Sequence, residues 1–412
     1  MNIIEDLTYR NLIYGVTDEE LKEKLTQEKL TFYLGADPTA DSLHVGHLLA
    51  YLVAKRLTAY GHKPILLIGG ATGLIGDPSG KSEERNLLTL EETKQNASAI
   101  EKQVKNILPE ATIVNNYDWM KNFDVISFLR DVGKYFNLNQ MLAKESVKAR
   151  LESGISFTEF SYQIIQSIDF LELYKDHGCT LQIGGQEQWG NITAGLELIR
   201  KTLGSNHKAY GIVFPLITKK DGTKFGKTAD GAVWLDEKKT SPYAFYQYWI
   251  NLDDQEAMER LKQFTELKPD EIDAIGLKMK ETPHLRHAQK ALAKELTRLV
   301  HGQGRLDQAL KITEALFNND IEALDSEEIE MAFEGVPVAV LSKDTTLVDA
   351  LITATLASSK REARTFIKQN AVSLNGTKIQ DVEHVLKPKD ALHKQYFILK
   401  RGKKHYALIK FK

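Results

Sequence analysis

The sequence predicts an α/β chain: a parallel sheet first, then a helical stretch, then a small α+β end. Three observations carry this. Short apolar runs alternate with helical periodicity through the first half, the pattern of βαβ units around a parallel sheet. From Ser241 to about Ala323 the apolar spacing is helical, with almost no strand signal. From Thr346 onward an Ala-rich helical segment gives way to strands, and Asn375-Gly376 sits between Ala371–Leu374 and Thr377–Ile379 as a two-residue hairpin turn.

Taken in order, residues 31–36 (Thr-Phe-Tyr-Leu-Gly-Ala) read as a buried strand that closes on glycine and alanine. His44 to Ala59 follows with apolar residues at helical spacing, and Pro64 to Gly69 is a second apolar run. Cys179 to Gly184 is a third, again ending in glycines, and 210–217 is a fourth. The carboxyl ends of these strands coincide with the polar motifs, which is where open α/β sheets place ligands. Residues 116–150 look helical and mixed in charge; they interrupt the alternation and read as an insertion. Glu322 to Thr345 is acidic, then carries Gly335 and Pro337, and reads as a linker. There is no internal repeat and no low-complexity tract.

Composition narrows the classes. The chain has 412 residues, 42% hydrophobic and 27% charged, enough for two or three domains with a sizeable core. No apolar run is long enough to span a bilayer, and the N-terminus has no basic patch followed by an apolar stretch, so a cytoplasmic location is expected. Cys179 is the only cysteine, which excludes an internal disulfide and fits a reducing compartment. The net charge of −2 is unevenly spread. From Thr346 to Lys412 there are 14 Lys/Arg against 5 Asp/Glu, a net of +9, so the rest carries −11. A basic module on an acidic body points to a polyanion partner.

Four segments carry chemistry. His44-Val-Gly-His47 opens a helix, with both imidazoles on one face of its first turn; a helix N-terminus favours anions. Zinc is an alternative use of two histidines, but no third ligand cluster lies nearby in sequence. Lys224-Phe-Gly-Lys-Thr228 lies after the last expected strand of the sheet; alone it would read as a solvated basic loop. Gly69 to Ser82 invites a phosphate-loop reading, which fails because Ile75 stands where that spacing requires glycine. It is instead a different glycine-rich loop, with Asp77 aimed at the pocket and Lys81 and Arg85 as cations near phosphates. Finally, Tyr162, Gln166 and Asp169 fall at i, i+4 and i+7 of one helix, a stripe of phenol, amide and carboxylate suited to a small zwitterion; the alternative is an ordinary exposed polar face.

These residues together resemble the bacterial tyrosyl-tRNA synthetases over essentially the full length. The likeness is carried by Gly35 to His47, Gly69 to Lys81, Gly154 to Tyr162, Trp189 to Gly195 and Lys224 to Thr228. The end of the chain resembles an S4-type RNA-binding module through Ser359 to Arg364 and Val372 to Gly376. The resemblance implies a Rossmann-like parallel-sheet catalytic domain over 1–228 with the insertion at about 116–150, a helical anticodon-side domain over 229–323, a linker over 324–345 and a small α+β S4-type domain over 346–412. It implies a class I ligase that makes tyrosyl-adenylate from L-tyrosine and ATP and passes tyrosine to tRNA(Tyr), as a homodimer with the insertion near its interface. Mg2+ would accompany the nucleotide, with no metal bound by the protein itself.

Roles transfer by the same resemblance. Tyr33 and Asp169 are expected at the substrate phenol, Asp77, Tyr162 and Gln166 at its ammonium, and Gln188 near its carboxylate. Gly35, Asp37, Thr39, His44, Gly46 and His47 are expected at the nucleotide. Lys81, Arg85, Lys224, Lys227 and Thr228 are expected to stabilise departing pyrophosphate, and Lys360, Arg361 and Arg364 to meet tRNA. One position departs from the pattern: Glu187 stands where the family has an aspartate on the ATP ribose, with the same charge and one more methylene. The rivals are a tryptophanyl-tRNA synthetase, a small-cofactor adenylyltransferase and a non-catalytic RNA-binding protein. The Tyr33–Asp169 pair disfavours the first, the chain length and RNA module the second, and the intact histidines and lysines the third.

Overall fold

A computed structural model describes residues 1–79, 87–148, 150–151, 154–218, 225–228, 231–402 and 404–411; the side chains of 145, 146, 227 and 228 lie outside that set. Two compact units result: Met1–Lys239 with Asn251–Leu292, and Thr240–Ile250 with Ala293–Lys412.

The first unit opens with α1 (Ile3–Tyr9), β1 (Gly15–Val16) and α2 (Glu20–Gln27). Then come β2 (Thr31–Ala36), α3 (Val45–Ala59), β3 (Lys63–Ile68), α4 (Leu90–Ile107) and β4 (Thr112–Asn115). Four short helices follow, α5 (Tyr117–Met120), α6 (Val125–Ser127), α7 (Leu138–Leu142) and α8 (Glu145–Lys148), and lead into the long α9 (Phe157–His177). After it come β5 (Cys179–Gly185), α10 (Trp189–Leu203), β6 (Tyr210–Phe214) and the small hairpin of β7 (Lys227–Thr228) and β8 (Gly231–Ala232). Then α11 (Pro242–Ile250) belongs to the second unit, and α12 (Asp254–Phe264) and α13 (Pro269–Glu281) return to the first.

The described strands form a six-stranded sheet in the order β1-β6-β5-β2-β3-β4. Strands β2 to β6 are parallel, and only the short β1 runs against its neighbour β6. Parallel strands are covered on both faces, which is why these segments read as continuous apolar runs: Phe32, Tyr33 and Leu34, and Ile65 to Ile68, are all buried. The strand order reverses between β2 and β5. From β2 the chain winds outward through β3 and β4, then returns through β5 to β6 on the other side. A crevice opens at the carboxyl ends of strands at such a reversal. It is flanked by Gly35–Asp37 at the end of β2 and by Gly184–Gln188 at the end of β5.

Two helices set the walls of that crevice. Helix α9 starts at Ser156, whose side chain accepts the Glu159 N–H at 3.2 Å, and stops at Gly178 in the left-handed conformation. Its inner side puts Ile164, Ile168 and Phe170 into one apolar cluster with Tyr33, Ile65 and Leu67. The expected insertion at 116–150 is short helical pieces rather than long helices, α6 running on through a π turn (Phe128–Val132) and a 3-10 turn (Gly133–Tyr135), and Trp119, Met120, Phe123, Val132 and Met141 bind it into the same cluster. Helix α3 starts at His44. Its outer end is fixed by a buried ionic group: Asp6 accepts from Arg10 at 2.7 Å and from Arg56 at 2.9 Å. The two guanidiniums also donate to the carbonyls of Lys262, Thr265 and Leu267, at and beyond the end of α12.

In the second unit, α14 (His287–His301), which carries the chain over from the first, is followed by α15 (Gln303–Asn318) and α16 (Ser326–Ala332). Beyond them β9 (Val338–Leu341), β10 (Thr345–Thr346), α17 (Leu347–Thr353), α18 (Lys360–Lys368), β11 (Val372–Leu374), β12 (Thr377–Lys378), β13 (Val385–Leu386), β14 (Tyr396–Arg401) and β15 (His405–Phe411) make a mixed α+β layer. Its five-stranded sheet runs β12-β11-β14-β15-β9. Asn375 and Gly376, both at positive φ, make the tight β11–β12 turn. The stretch expected as a linker, 324–345, is structured. It contains α16, with Ile329 and Phe333 packed against Ile312, Ile398 and Leu408, and β9, which pairs in parallel with β15. The helices expected over 229–323 are present as α11 to α15 and divide between the units. No helix among the described residues is long and apolar enough to cross a membrane.

Candidate active site

The floor of the crevice is a polar group set in the apolar core. Tyr33 on β2 and Asp169 on α9 are each 1% exposed. The Tyr33 hydroxyl has no hydrogen-bond partner among the described residues. Burial, then the Asp169 charge, pushes its phenol well above the usual range, so it stays an O–H donor. Asp169 is different. Asn116 Nδ2 donates to one carboxylate oxygen at 3.0 Å and Trp119 Nε1 to the other at 2.9 Å. Burial pushes the carboxyl up to about 7; the two donors oppose the rise, and the charges of Asp37 and Glu172 add to it.

Asn116 fixes the next layer. Its Oδ1 accepts the Ala71 N–H at 2.7 Å, and its Nδ2 also reaches Thr72 Oγ1 at 3.0 Å. The Thr72 hydroxyl donates to Asp37 Oδ1 at 2.6 Å, and the Tyr162 hydroxyl to Asp37 Oδ2 at 2.8 Å. Gly69 is required here because a Cβ would run into the Asp37 carboxylate and the Thr72 hydroxyl. Burial, then the charges of Asp37 and Asp77, holds the Tyr162 phenol protonated. On the other wall, Gln188 Nε2 donates to Asp77 Oδ2 at 2.8 Å, while Gln188 Oε1 accepts from Asn191 at 3.1 Å and from Gln166 at 3.4 Å. The Ser79 N–H holds Asp77 Oδ1 at 2.9 Å. The stripe Tyr162–Gln166–Asp169 therefore faces Asp37, Gln188 and Asn116 in turn, and is not an exposed polar face.

The second corner is the first turn of α3. His44 is its N-cap, with Nδ1 accepting the Gly46 N–H at 3.0 Å, and the His44 N–H donates to His47 Nδ1 at 3.3 Å. The rings stack at 3.8 Å. A backbone N–H donating into Nδ1 leaves the proton of a neutral imidazole on Nε2, so both rings have Nε2–H donors at a helix N-terminus. The Phe225-Gly226 backbone lies directly against this turn. Gly226 has φ +81°, and a Cβ there would be 2.8 Å from the Gly46 nitrogen. Lys227 and Thr228 continue from it as β7.

Most expected site residues are thus brought to one crevice. Tyr33, Asp37, Asp77, Tyr162, Gln166, Asp169 and Gln188 form one hydrogen-bonded and electrostatically coupled set. His44, Gly46 and His47 form the turn beside Phe225-Gly226, and Gly35 and Thr39 flank Asp37, where the Thr39 N–H meets the Asp37 carbonyl at 2.9 Å. The Glu187 carboxylate turns back against Gly185 at the end of β5. Lys81, Arg85 and Lys224 lie outside the described residues, as do the side chains of Lys227 and Thr228. Lys360, Arg361 and Arg364 are exposed on α18, Lys360 paired with Asp349 at 2.9 Å. Among the described residues no group of three His, Cys, Asp or Glu could hold a metal ion. Sequence reasoning missed Asn116, Trp119 and Thr72. The signal for Asn116 was present: Thr-Ile-Val-Asn-Asn is a short strand that runs into a polar pair.

Comparisons with known proteins give the family. The family model of class I tRNA synthetases (W and Y) matches residues 25–318, and that of the tyrosine–tRNA ligase SYY-like C-terminal domain matches 328–409. The chain is 50% identical to the tyrosine–tRNA ligase of Listeria welshimeri and 50% identical to tyrosine–tRNA ligase 1 of Bacillus subtilis, in each case over 100% of both chains. Among solved structures, it is similar to a C-terminally truncated mitochondrial tyrosyl-tRNA synthetase of Aspergillus nidulans, with a TM-score of 0.70 and 31% identity, covering 77% of this chain and 94% of that one.

Proposed function

Since the chain belongs to the tyrosine–tRNA ligases of class I, we propose that its crevice takes L-tyrosine and ATP and that the residues assembled there carry out adenylate formation. The activity is tyrosine–tRNA ligation. In this reading the substrate phenol lies between Tyr33, which donates, and ionised Asp169, which accepts. Its ammonium meets Asp77, Tyr162 and Gln166, and its carboxylate lies near Gln188. Asp37 orients Tyr162 through the bond at 2.8 Å.

Chemistry then follows from position and charge. The tyrosine carboxylate is itself the nucleophile, so no side chain needs to become one. It forms a bond to the α-phosphorus as the bond to the β-phosphate oxygen breaks, and pyrophosphate leaves with the electron pair. Donors preset around that charge lower the barrier without reorganising. His44 and His47 supply Nε2–H groups; Lys81, Arg85, Lys224, Lys227 and Thr228 supply the rest. Gly35, Asp37, Thr39 and Gly46 line the nucleotide, with Glu187 at the ribose. Mg2+ enters with ATP as part of the substrate. The terminal ribose hydroxyl of tRNA(Tyr) then attacks the carbonyl and AMP departs, while Lys360, Arg361 and Arg364 meet tRNA phosphates.

The observation that carries the reading is the buried Tyr33–Asp169 floor, a donor and an acceptor at the depth where a phenol would reach. A phenylalanine ring would leave the Tyr33 hydroxyl unpaired, at a cost of about 1–3 kcal/mol, and would give the buried Asp169 carboxylate no donor beyond Asn116 and Trp119. ATP–pyrophosphate exchange with each amino acid tests it: exchange should require tyrosine, and equal exchange with tryptophan or phenylalanine would overturn it. A homodimer is proposed as well, supported by the exposed apolar side chains Val125, Ile126, Leu129, Leu138 and Phe157, 54–72% exposed on one chain. Sedimentation of the parent beside Phe157→Glu checks that.

A further inference from the structure

We propose that Arg260 is a positioning residue for adenylate formation, acting through the segment that carries Lys227. This rests on the reading of Lys227 and Thr228 as pyrophosphate-stabilising groups. Arg260 lies on α12, and its side chain is 7% exposed. Its Nη2 donates to the Thr218 carbonyl at 2.8 Å. Its guanidinium lies over the Phe225 ring, 4.9 Å from the centroid. Thr218 and Phe225 are the two ends from which the segment 219–224 departs and returns, and the Phe225 N–H meets the Ile217 carbonyl at 3.4 Å. One side chain therefore touches both ends. Its own plane is set by Gln263, which accepts from Nη1 at 2.8 Å, and by the Glu256 carboxylate, 3.5 Å from Nη2.

What Phe225 touches next makes this more than packing. Its ring meets Phe264 of α12 at 5.8 Å. Its carbonyl oxygen and Gly226 lie against the first turn of α3: a Cβ on Gly46 would be 3.2 Å from that oxygen. The Val233 N–H meets the Gly226 carbonyl at 2.9 Å, and the Val45 N–H meets the Val233 carbonyl at 2.9 Å. Phe225-Gly226 is thus held by α12 and by the histidine turn at once, and Lys227 is the next residue. The far end of α12 is in turn fixed by Arg10 and Arg56. A leucine in place of Arg260 would still cover Phe225 but would strand the Thr218 carbonyl. A lysine offers no planar face to stack while it donates. The seating of the Phe225-Gly226 backbone against the histidine turn, one residue before Lys227, is therefore set, in part, by one guanidinium.

The test separates positioning from mere stability. Adenylate formation is followed in single turnovers at saturating ATP and tyrosine, with tyrosine affinity measured by equilibrium dialysis, in the full-length parent, Arg260→Met, Lys227→Ala and the double variant. Arg260→Met should slow the chemical step at least about tenfold, since small misplacements of reacting groups are costly. Tyrosine affinity should stay within about twofold. In the Lys227→Ala background the same change should cost under about threefold, because the group it positions is gone. A full additional loss in that background, an unchanged rate, or a fall in tyrosine affinity equal to the fall in rate overturns the proposal. If Arg260→Met does not fold, Arg260→Lys and Phe225→Leu are read in the same way, and a folded variant of either kind with the parent rate overturns it. A parent lacking tyrosine-dependent exchange would instead remove the underlying site reading.

Discussion

Replacing Asp169 by asparagine should abolish a pH dependence of tyrosine binding that the parent shows below about pH 7. Burial holds the Asp169 carboxyl at about 7 in the ligand-free protein, far above an ordinary aspartate. A substrate phenol donates to the ionised form. Below pH 7 the floor is neutral, and binding must first release that proton. The KM for tyrosine should therefore rise toward tenfold for each unit below 7, reaching about a hundredfold near pH 5 relative to pH 8. Stability should slope the other way. A carboxyl whose folded pKa is raised keeps its proton in the folded chain while the unfolded chain has already lost it, so between about pH 4 and 7 stability falls as pH rises. The full span of that term is about 4 kcal/mol as an upper figure, at about 1.4 kcal/mol per unit. Asp169→Asn removes both slopes. At pH 8 it should weaken tyrosine by about tenfold to a hundredfold, the worth of a hydrogen bond to a charged acceptor. Its amide nitrogen must also face Asn116 or Trp119, donor against donor, which offsets part of any gain in stability. Pyrophosphate exchange from pH 5.5 to 8.5, beside thermal melts over the same range, reads both. A parent KM that is flat over that range, or a variant with the parent's slope, would refute the reasoning.

Asn116→Ala withdraws one donor from Asp169 and leaves the Ala71 N–H unpaired, so the midpoint of the tyrosine KM profile should move to higher pH and KM at pH 8 should rise about tenfold; an unmoved midpoint would show that this bond does not reach the titrating group. His44→Ala should slow adenylate formation about a hundredfold in stopped flow with tyrosine affinity intact, and the lost cap should cost about 1 kcal/mol in the melt; lost affinity at a preserved rate would contradict the role. Replacing Lys360, Arg361 and Arg364 together by glutamine should weaken tRNA binding and flatten its dependence on salt, leaving exchange untouched; an unchanged salt slope would move the RNA contact elsewhere.

Local order made much of this molecule legible. The strands β2, β3, β5 and β6 have both faces covered along their middles, so those residues had to be apolar in unbroken runs; the run expected over 210–217 stops being strand at Phe214, and Leu216 beyond it is exposed. The helix from His44 could be read because cap and apolar spacing fall within four turns. The stripe Tyr162–Gln166–Asp169 follows from 3.6 residues per turn alone. The Asn375-Gly376 turn follows from two backbone conformations that few other pairs adopt. The resemblance to known ligases extended these readings to residues whose partners lie far away in sequence, such as Tyr33 and Asp77. Edge strand β4 was missed because it has only four residues and none fully buried, so its apolar signal is weak.

The residues that hold the ligand-facing groups in place are a different class, and the sequence is silent about them for a physical reason. Asn116 reaches Thr72 across 44 residues and Asp169 across 53; Arg260 reaches Thr218 across 42; Arg10 reaches Lys262 across 252. None of these spacings has a helical or strand period, so no pattern in a window can register them. The same holds for the C-terminal boundary. Acidic residues, a glycine and a proline between 322 and 345 have the composition of a linker. Yet β9 is an edge strand of the last sheet, because its partner β15 arrives more than sixty residues later. A chain cut after Lys343 would keep β9 without its neighbour and uncover Ile312, Ile329 and Phe333. Such a chain should still exchange pyrophosphate, since the crevice is built within the first unit, but it should charge tRNA poorly and aggregate more readily than the parent. A soluble truncated chain that charges tRNA at the parent rate would show that neither the sheet nor its basic helix is needed for the transfer step.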